Sequence, residues 1–196
     1  MSEDDDSHGG SDADQTSRLT KHLNLSADHA YDRAVRDEKR WSELTIRRAT
    51  APDLELVIDL VAEYCVADHH PFDEQTVRSA VVPLLTDDRY GAIWLIVEPS
   101  LSTVGYACVT WGYSIEAGGP EALFDELYVR HQGSGIGSRA MELVLEEVRR
   151  LGFARIYLET ETHNERGRRL YERLGFVTED SIWMSLDWRR SPTQNS

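Results

Sequence analysis

The stretch from Leu123 to Glu159 constrains the fold more than any other part of the chain. Leu123 to Arg130 reads as a strand and Gln132-Gly-Ser-Gly-Ile-Gly137 as a glycine-rich bend. Ile136, Ala140, Leu143, Val144, Val148 and Leu151 then form the apolar stripe of a helix. Ala154-Arg-Ile-Tyr-Leu-Glu159 is a further strand. Two strands joined through a helix of that length must run parallel, and a right-handed crossover is expected.

The rest of the chain supplies antiparallel partners. Leu44-Thr-Ile-Arg-Arg-Ala-Thr50 alternates as a half-buried strand, and Thr50-Ala-Pro-Asp53 reads as a helix start. Leu54, Val57, Ile58, Val61, Tyr64 and Cys65 carry a helix to about Val66; Val77, Ala80, Val81 and Leu84 mark a second. Strands are expected near 91–98 and 102–113, with Gly118, Gly119 and Pro120 turning into the strand at Leu123. A short helix over 164–174 and strands over 175–179 and 181–187 complete the order β-α-α-β-β-β-α-β-α-β-β. This is an α+β fold: a mixed, mostly antiparallel sheet flanked by helices.

Composition narrows the function. A formal charge of −14 disfavours binding to a phosphate backbone, so no nucleic acid is expected. No apolar run approaches the ~18 residues of a membrane span, and Met1-Ser-Glu-Asp-Asp-Asp6 is acidic where a secretory signal is basic. The reading is a soluble, cytoplasmic protein without a membrane partner. Residues 1–42 form an acidic leader, disordered over its first part, with a helix expected over 26–41. That helix is read as loosely docked, with a homodimer contact as its alternative use. The domain proper spans 43–190, and 191–196 is a tail.

Strand, glycine bend and helix together make a phosphate cradle: glycines let amides turn outward, and a helix N-terminus carries about half a positive charge. Three ligands compete for it. An ATP-type loop needs a lysine after its last glycine, but Ser138-Arg139 follows Gly137, and the only lysines, Lys21 and Lys39, lie in the leader. Gly135-x-Gly137-x-x-Ala140 with Glu159 fits a dinucleotide fingerprint, yet several strands precede it where that fold begins with it. The third ligand is an acyl-coenzyme A.

Glu126-Leu-Tyr-Val129, Gln132-Gly-Ser-Gly-Ile-Gly137 and Asn164 with Leu170-Tyr-Glu-Arg-Leu-Gly-Phe176, in that order, resemble the GNAT superfamily of N-acetyltransferases over residues 44–187. The connection from Val129 to Gln132, Arg130 and His131 alone, is shorter than the family's usual one. The resemblance implies a parallel strand pair splayed at an acetyl-CoA site, with acetyl-CoA as co-substrate. It assigns the diphosphate to amides of Gln132, Gly133, Ser134, Gly135, Ile136, Gly137 and Ser138. The pantetheine arm goes to the backbone of Leu127, Tyr128 and Val129, with Leu127 or Val129 offering an N–H to the thioester oxygen. Asn164 is a polar contact to the coenzyme or a helix cap, and Tyr171 is placed near the coenzyme sulfur as the leaving-group acid.

An ammonium acceptor must lose a proton before it attacks. Glu126 is the first choice of base, and Asp125 the second, because adjacent strand residues point to opposite faces. Asp125, Glu126, Trp111 and Phe72 are candidate acceptor-site residues, though Trp111 also suits core packing. Asp68-His69-His70 with Asp73 lacks a further ligand cluster, so no metal is expected and the segment is read as a loop over the acceptor pocket. Cys65 and Cys108 sit on apolar stripes as core residues. The reading is an acyltransferase moving acetyl from acetyl-CoA to a primary amine of a small cationic molecule. Alternatives are acetylation of a protein N-terminus or lysine, and a sensor that binds acyl-CoA without turnover.

Overall fold

The computed structural model describes Trp41 and residues 43–188. The leader helix expected over 26–41, apart from Trp41, and the tail 191–196 lie outside the described residues. The chain divides into two compact units between Glu159 and Thr160.

The first unit is built on a five-stranded sheet in the order β1-β2-β3-β4-β5. The strands are β1 (Thr45–Arg48), β2 (Gly91–Val97), β3 (Thr103–Ser114), β4 (Gly119–Val129) and β5 (Arg155–Tyr157). All neighbours are antiparallel except β4 and β5, which run parallel as the crossover demands. The helices are α1 (Leu54–Ala67), α2 (Glu74–Thr86) and α3 (Ile136–Arg150). On one sheet face Val57, Leu60, Val61, Val81 and Leu85 of α1 and α2 pack on Ile93, Leu95, Tyr106 and Cys108. On the other, Ile136 and Ala140 of α3 pack on Ile96, Val104 and Val129, with Trp41 and Leu44. Cys65 and Cys108 are buried free thiols.

β4 begins at Gly119, before the expected Leu123, because the preceding turn closes at Ile115–Gly118; Gly119 and Pro120 already pair with Ser114 and Tyr113. Within β4 the register slips. Cys108 pairs with Glu126 but Val109 pairs with Phe124, so Asp125 is a bulge with no partner on β3. Without it, alternation from Leu123 would send Glu126 toward α3. The extra residue turns Glu126 and Tyr128 onto the α1–α2 face instead, opposite Cys108 and Tyr106. The β4–β5 ladder runs from Glu121–Arg155 to Leu123–Tyr157. From Phe124 to Val129, β4 is therefore paired through β3 alone among the described residues.

The second unit carries α4 (Glu165–Arg173). The Asn164 side chain accepts from the Gly167 amide at 2.9 Å, and its Nδ2 donates to Thr160 Oγ1 at 3.1 Å. At the other end Gly175 takes φ +93°, and the Phe176 amide reaches back to the Tyr171 carbonyl at 3.0 Å. The two strands expected over 175–179 and 181–187 are not formed. Their alternation is real, but strands need a ladder, and none is formed over this segment among the described residues. Val177, Ile182, Met184 and Leu186 are left 84%, 90%, 88% and 72% exposed.

Two substitutions test these packings. At Gly105 a Cβ would stand 2.0 Å from the Tyr128 carbonyl oxygen, which is backbone and cannot step aside. Gly105→Ala should cost about 2 kcal/mol or more, read as a lower urea midpoint; an unchanged midpoint would contradict the close β3–β4 approach. Asn164→Ala should destabilise α4 by about 1 kcal/mol through loss of its cap, while Asn164→Asp keeps most of it. Amide exchange at Gly167 reports both.

Candidate active site

Glu126 is half-buried on the inner face of β4. Tyr106, fully buried on β3, donates its hydroxyl to Glu126 Oε2 at 2.6 Å. Burial pushes the Glu126 carboxyl above the ordinary carboxylate range and the nearby Asp125 charge adds to this, while the Tyr106 hydrogen bond and His70 oppose it. The Asp125 carboxyl is raised by desolvation as well, although the residue is exposed. Both acids raise the buried Cys108 thiol, desolvation being the larger cause, so the bulge lets neighbouring carboxylates act on one place. The alternation rule behind choosing only one of them does not hold across a bulge.

Around this carboxylate stands an aromatic wall. The Tyr106 and Tyr128 rings are 6.3 Å apart, Tyr128 and Tyr64 are 6.4 Å apart, and Tyr64 stacks on His70 at 6.3 Å. His70 Nε2 lies 2.8 Å from Asp68. The Tyr128 hydroxyl and the Arg130 guanidinium both donate to Glu63 on α1, at 3.1 Å and at 2.8 and 2.7 Å. This clamp ties the last turns of α1 to the end of β4. It holds the strand terminus although Arg130 and His131 are the whole connection to Gln132.

Beyond them the glycine bend is shaped for outward amides. Gly133 and Gly135 take φ +87° and +90°, a region that favours glycine. Ser134 Oγ donates to the His131 carbonyl at 2.7 Å, and the Trp41 indole N–H donates to the Ser134 carbonyl. Carbonyls of the bend are thus used inside the protein. Its amides are not: among the described residues none from Gln132 to Ser138 donates to a protein acceptor. They gather at the N-terminus of α3, whose macrodipole adds positive potential. One turn on, Arg139 pairs with Glu142 at 3.0 Å while its Nε is buried without a partner among the described residues. A diphosphate fits this donor set.

The other candidates are placed as follows. Leu127 and Val129 lie on the α3 face of β4, on the stretch paired through β3 alone. Trp111 lies on the α3 side, opposite to Glu126, its ring 4.4 Å from that of Phe153 and its indole N–H bonded to the Asp88 carbonyl at 2.9 Å. Phe72 stands exposed in the α1–α2 connection. In the second unit Asn164 acts as the α4 cap. Tyr171 is partly buried with its ring 6.1 Å from Phe176, and burial raises its phenol. Among the described residues no group of three metal-ligating side chains forms, and no helix is long and apolar enough to cross a membrane. Tyr106 went unnoticed in the sequence: a tyrosine in an apolar strand gives no sign of meeting a carboxylate across the sheet.

The chain matches the acetyltransferase (GNAT) family over residues 55–176. No curated protein matches it by sequence. Among solved structures it resembles integron cassette protein HFX_CASS3 from the mobile metagenome of Cole Harbour Salt Marsh, at 26% identity and TM-score 0.65, covering 76% of this chain and 92% of that one. A candidate acetyltransferase from Arthrobacter sp. FB24 shares 26% identity at TM-score 0.64, covering 73% and 95%. The aminoglycoside acetyltransferase meta-AAC0020 from an uncultured soil metagenomic sample, in complex with sisomicin, shares the fold at 15% identity and TM-score 0.59, covering 74% and 98%. With its mixed sheet, single parallel pair and glycine bend at the head of α3, the chain belongs to the acetyltransferase (GNAT) family.

Proposed function

We propose that the protein transfers acetyl from acetyl-CoA to the primary amine of a small cationic molecule. The observation that carries this reading is that, among the described residues, the amides from Gln132 to Ser138 are uncommitted and the adjoining length of β4 is paired on one side only. Bound acetyl-CoA would supply the acetyl group already activated as a thioester. The bend amides would hold its diphosphate, and the backbone of Leu127, Tyr128 and Val129 would hydrogen-bond its pantetheine arm as a missing strand would. A preorganised N–H from Leu127 or Val129, aimed at the thioester oxygen, is worth about 3 kcal/mol of barrier.

The acceptor arrives as an ammonium, since an amine of pKa about 10 is about 0.1% neutral at pH 7. Glu126 takes that proton, and burial, by raising its carboxyl, makes it the stronger base. The nitrogen then bonds to the acetyl carbon as the carbon–sulfur bond breaks. Tyr171 returns a proton to the thiolate; from an ordinary phenol near 10 to a thiol near 8.5 the step is uphill by roughly 2 kcal/mol, and burial of Tyr171 makes it steeper. Its raised phenol stays protonated until the thiolate forms. A cationic acceptor is favoured by Asp125 beside Glu126 and by the net charge of −14. An aminoglycoside acetyltransferase of the same fold, solved with sisomicin, is consistent with that choice.

Calorimetric titration with coenzyme A, followed by thiol release across a panel of amines, tests the reading. Coenzyme A should bind, and a cationic amine should release thiol. Glu126→Gln should slow turnover by about 100-fold or more with coenzyme affinity unchanged, and Tyr171→Phe should slow it less. Binding without release on any amine would mark a sensor, and NADH binding in place of coenzyme A would return the bend to the dinucleotide class.

A further inference from the structure

Resting on the assignment of Glu126 as base, we propose that Tyr106 is its positioning residue: the buried hydroxyl holds one carboxylate oxygen and leaves the other to receive the acceptor's proton. The tyrosine ring is fully buried in the α1–α2 core, so its hydroxyl has one fixed direction, and that direction meets Glu126 Oε2 at 2.6 Å. Oε1 accepts no hydrogen bond among the described residues, which leaves it available to accept from a ligand. A carboxylate anchored at one oxygen loses little freedom when the ammonium arrives, so its geometry is set before binding. The bulge at Asp125 makes the contact, because ordinary alternation would carry Glu126 away from Tyr106.

The proton balance is simple. The ammonium and the carboxylate become a neutral amine and a carboxylic acid, with the new O–H on Oε1, and the acid later releases its proton to solvent. Burial keeps the Tyr106 phenol far above any working pH, so it acts as a fixed donor and not as a second titrating group. The other charged or titratable groups facing this carboxylate are Asp125 and Tyr128 on β4, Cys108 on β3, Tyr64, Cys65 and Asp68 on α1 or at its end, and His70 beyond it. A hydrogen bond donated to the ionised form lowers a carboxyl pKa. Its loss therefore moves the Glu126 titration upward.

Tyr106→Phe tests this, since phenylalanine fills the same buried space. In the free protein, with the glutamate carboxyls labelled with carbon-13, the Glu126 resonance should titrate about one unit higher in Tyr106→Phe than in the wild type. With an accepted amine, kcat should fall about tenfold or more, the acid limb of kcat/KM should shift upward by the same interval, and coenzyme A affinity should hold. In a Glu126→Gln background Tyr106→Phe should cost nothing further. A folded Tyr106→Phe whose Glu126 titrates as in the wild type would overturn the proposal, whatever the activity. If no amine releases thiol, the enzymatic reading fails, while the carboxyl titration still decides whether Tyr106 controls Glu126. Should Tyr106→Phe unfold, Tyr106→Trp and Tyr106→Leu offer the same titration, and an unchanged Glu126 in either overturns it.

Discussion

One inserted residue governs the arrangement of β4. The bulge at Asp125 reverses the inside–outside pattern, brings the Glu126 carboxylate under Tyr106, and marks where the ladder to β5 has ended. A regular strand there would turn Leu127 and Val129 toward α1 and α2 and send Glu126 toward α3, away from Tyr106. Carboxylates inside a protein are costly unless they are hydrogen-bonded, and the 2.6 Å bond from Tyr106 is what makes Glu126 tolerable where it stands. Structure and proposed chemistry therefore rest on the same few atoms.

The two ends of β4 are secured by different means. At its beginning, Gly119 to Leu123 lies between β3 and β5 and is held by ladders on both sides. At its end, the second ladder is replaced by the clamp of Tyr128 and Arg130 on Glu63 and by burial of Val129 against α3. Among the described residues this leaves one line of backbone groups unpaired without loosening the strand, which is what a chain needs if an extended ligand is to take the place of a neighbour. The bend that follows spends carbonyls on Trp41 and Ser134 and, among the described residues, keeps its amides free.

Much of this was legible in the sequence because the signals were local. The stripe from Ile136 to Val148, the glycines before it and the strand after it are sufficient for the parallel pair, since chain geometry allows few alternatives. Asn164 was open to reading as a helix cap, and the structure uses it as one. The bulge was not legible: Asp125 and Glu126 look like neighbours in an ordinary strand, and only the register against β3 reveals which one turns inward. Tyr106 was hidden for the same reason, since its partner lies across a strand pair. The alternation from Val177 to Leu186 misled in the opposite sense, because periodicity reports a wish to bury one face, not the presence of a neighbour to bury it against.

The central claim is that the free amides of the bend and the one-sided end of β4 receive a single ligand. An amide-resolved NMR titration with coenzyme A tests it most directly. Resonances of Gln132 to Ser138 and of Leu127 to Val129 should move together and saturate at one concentration, with β1 and β2 unaffected. Coenzyme A that leaves both sets unmoved, or that moves residues elsewhere instead, would contradict the account.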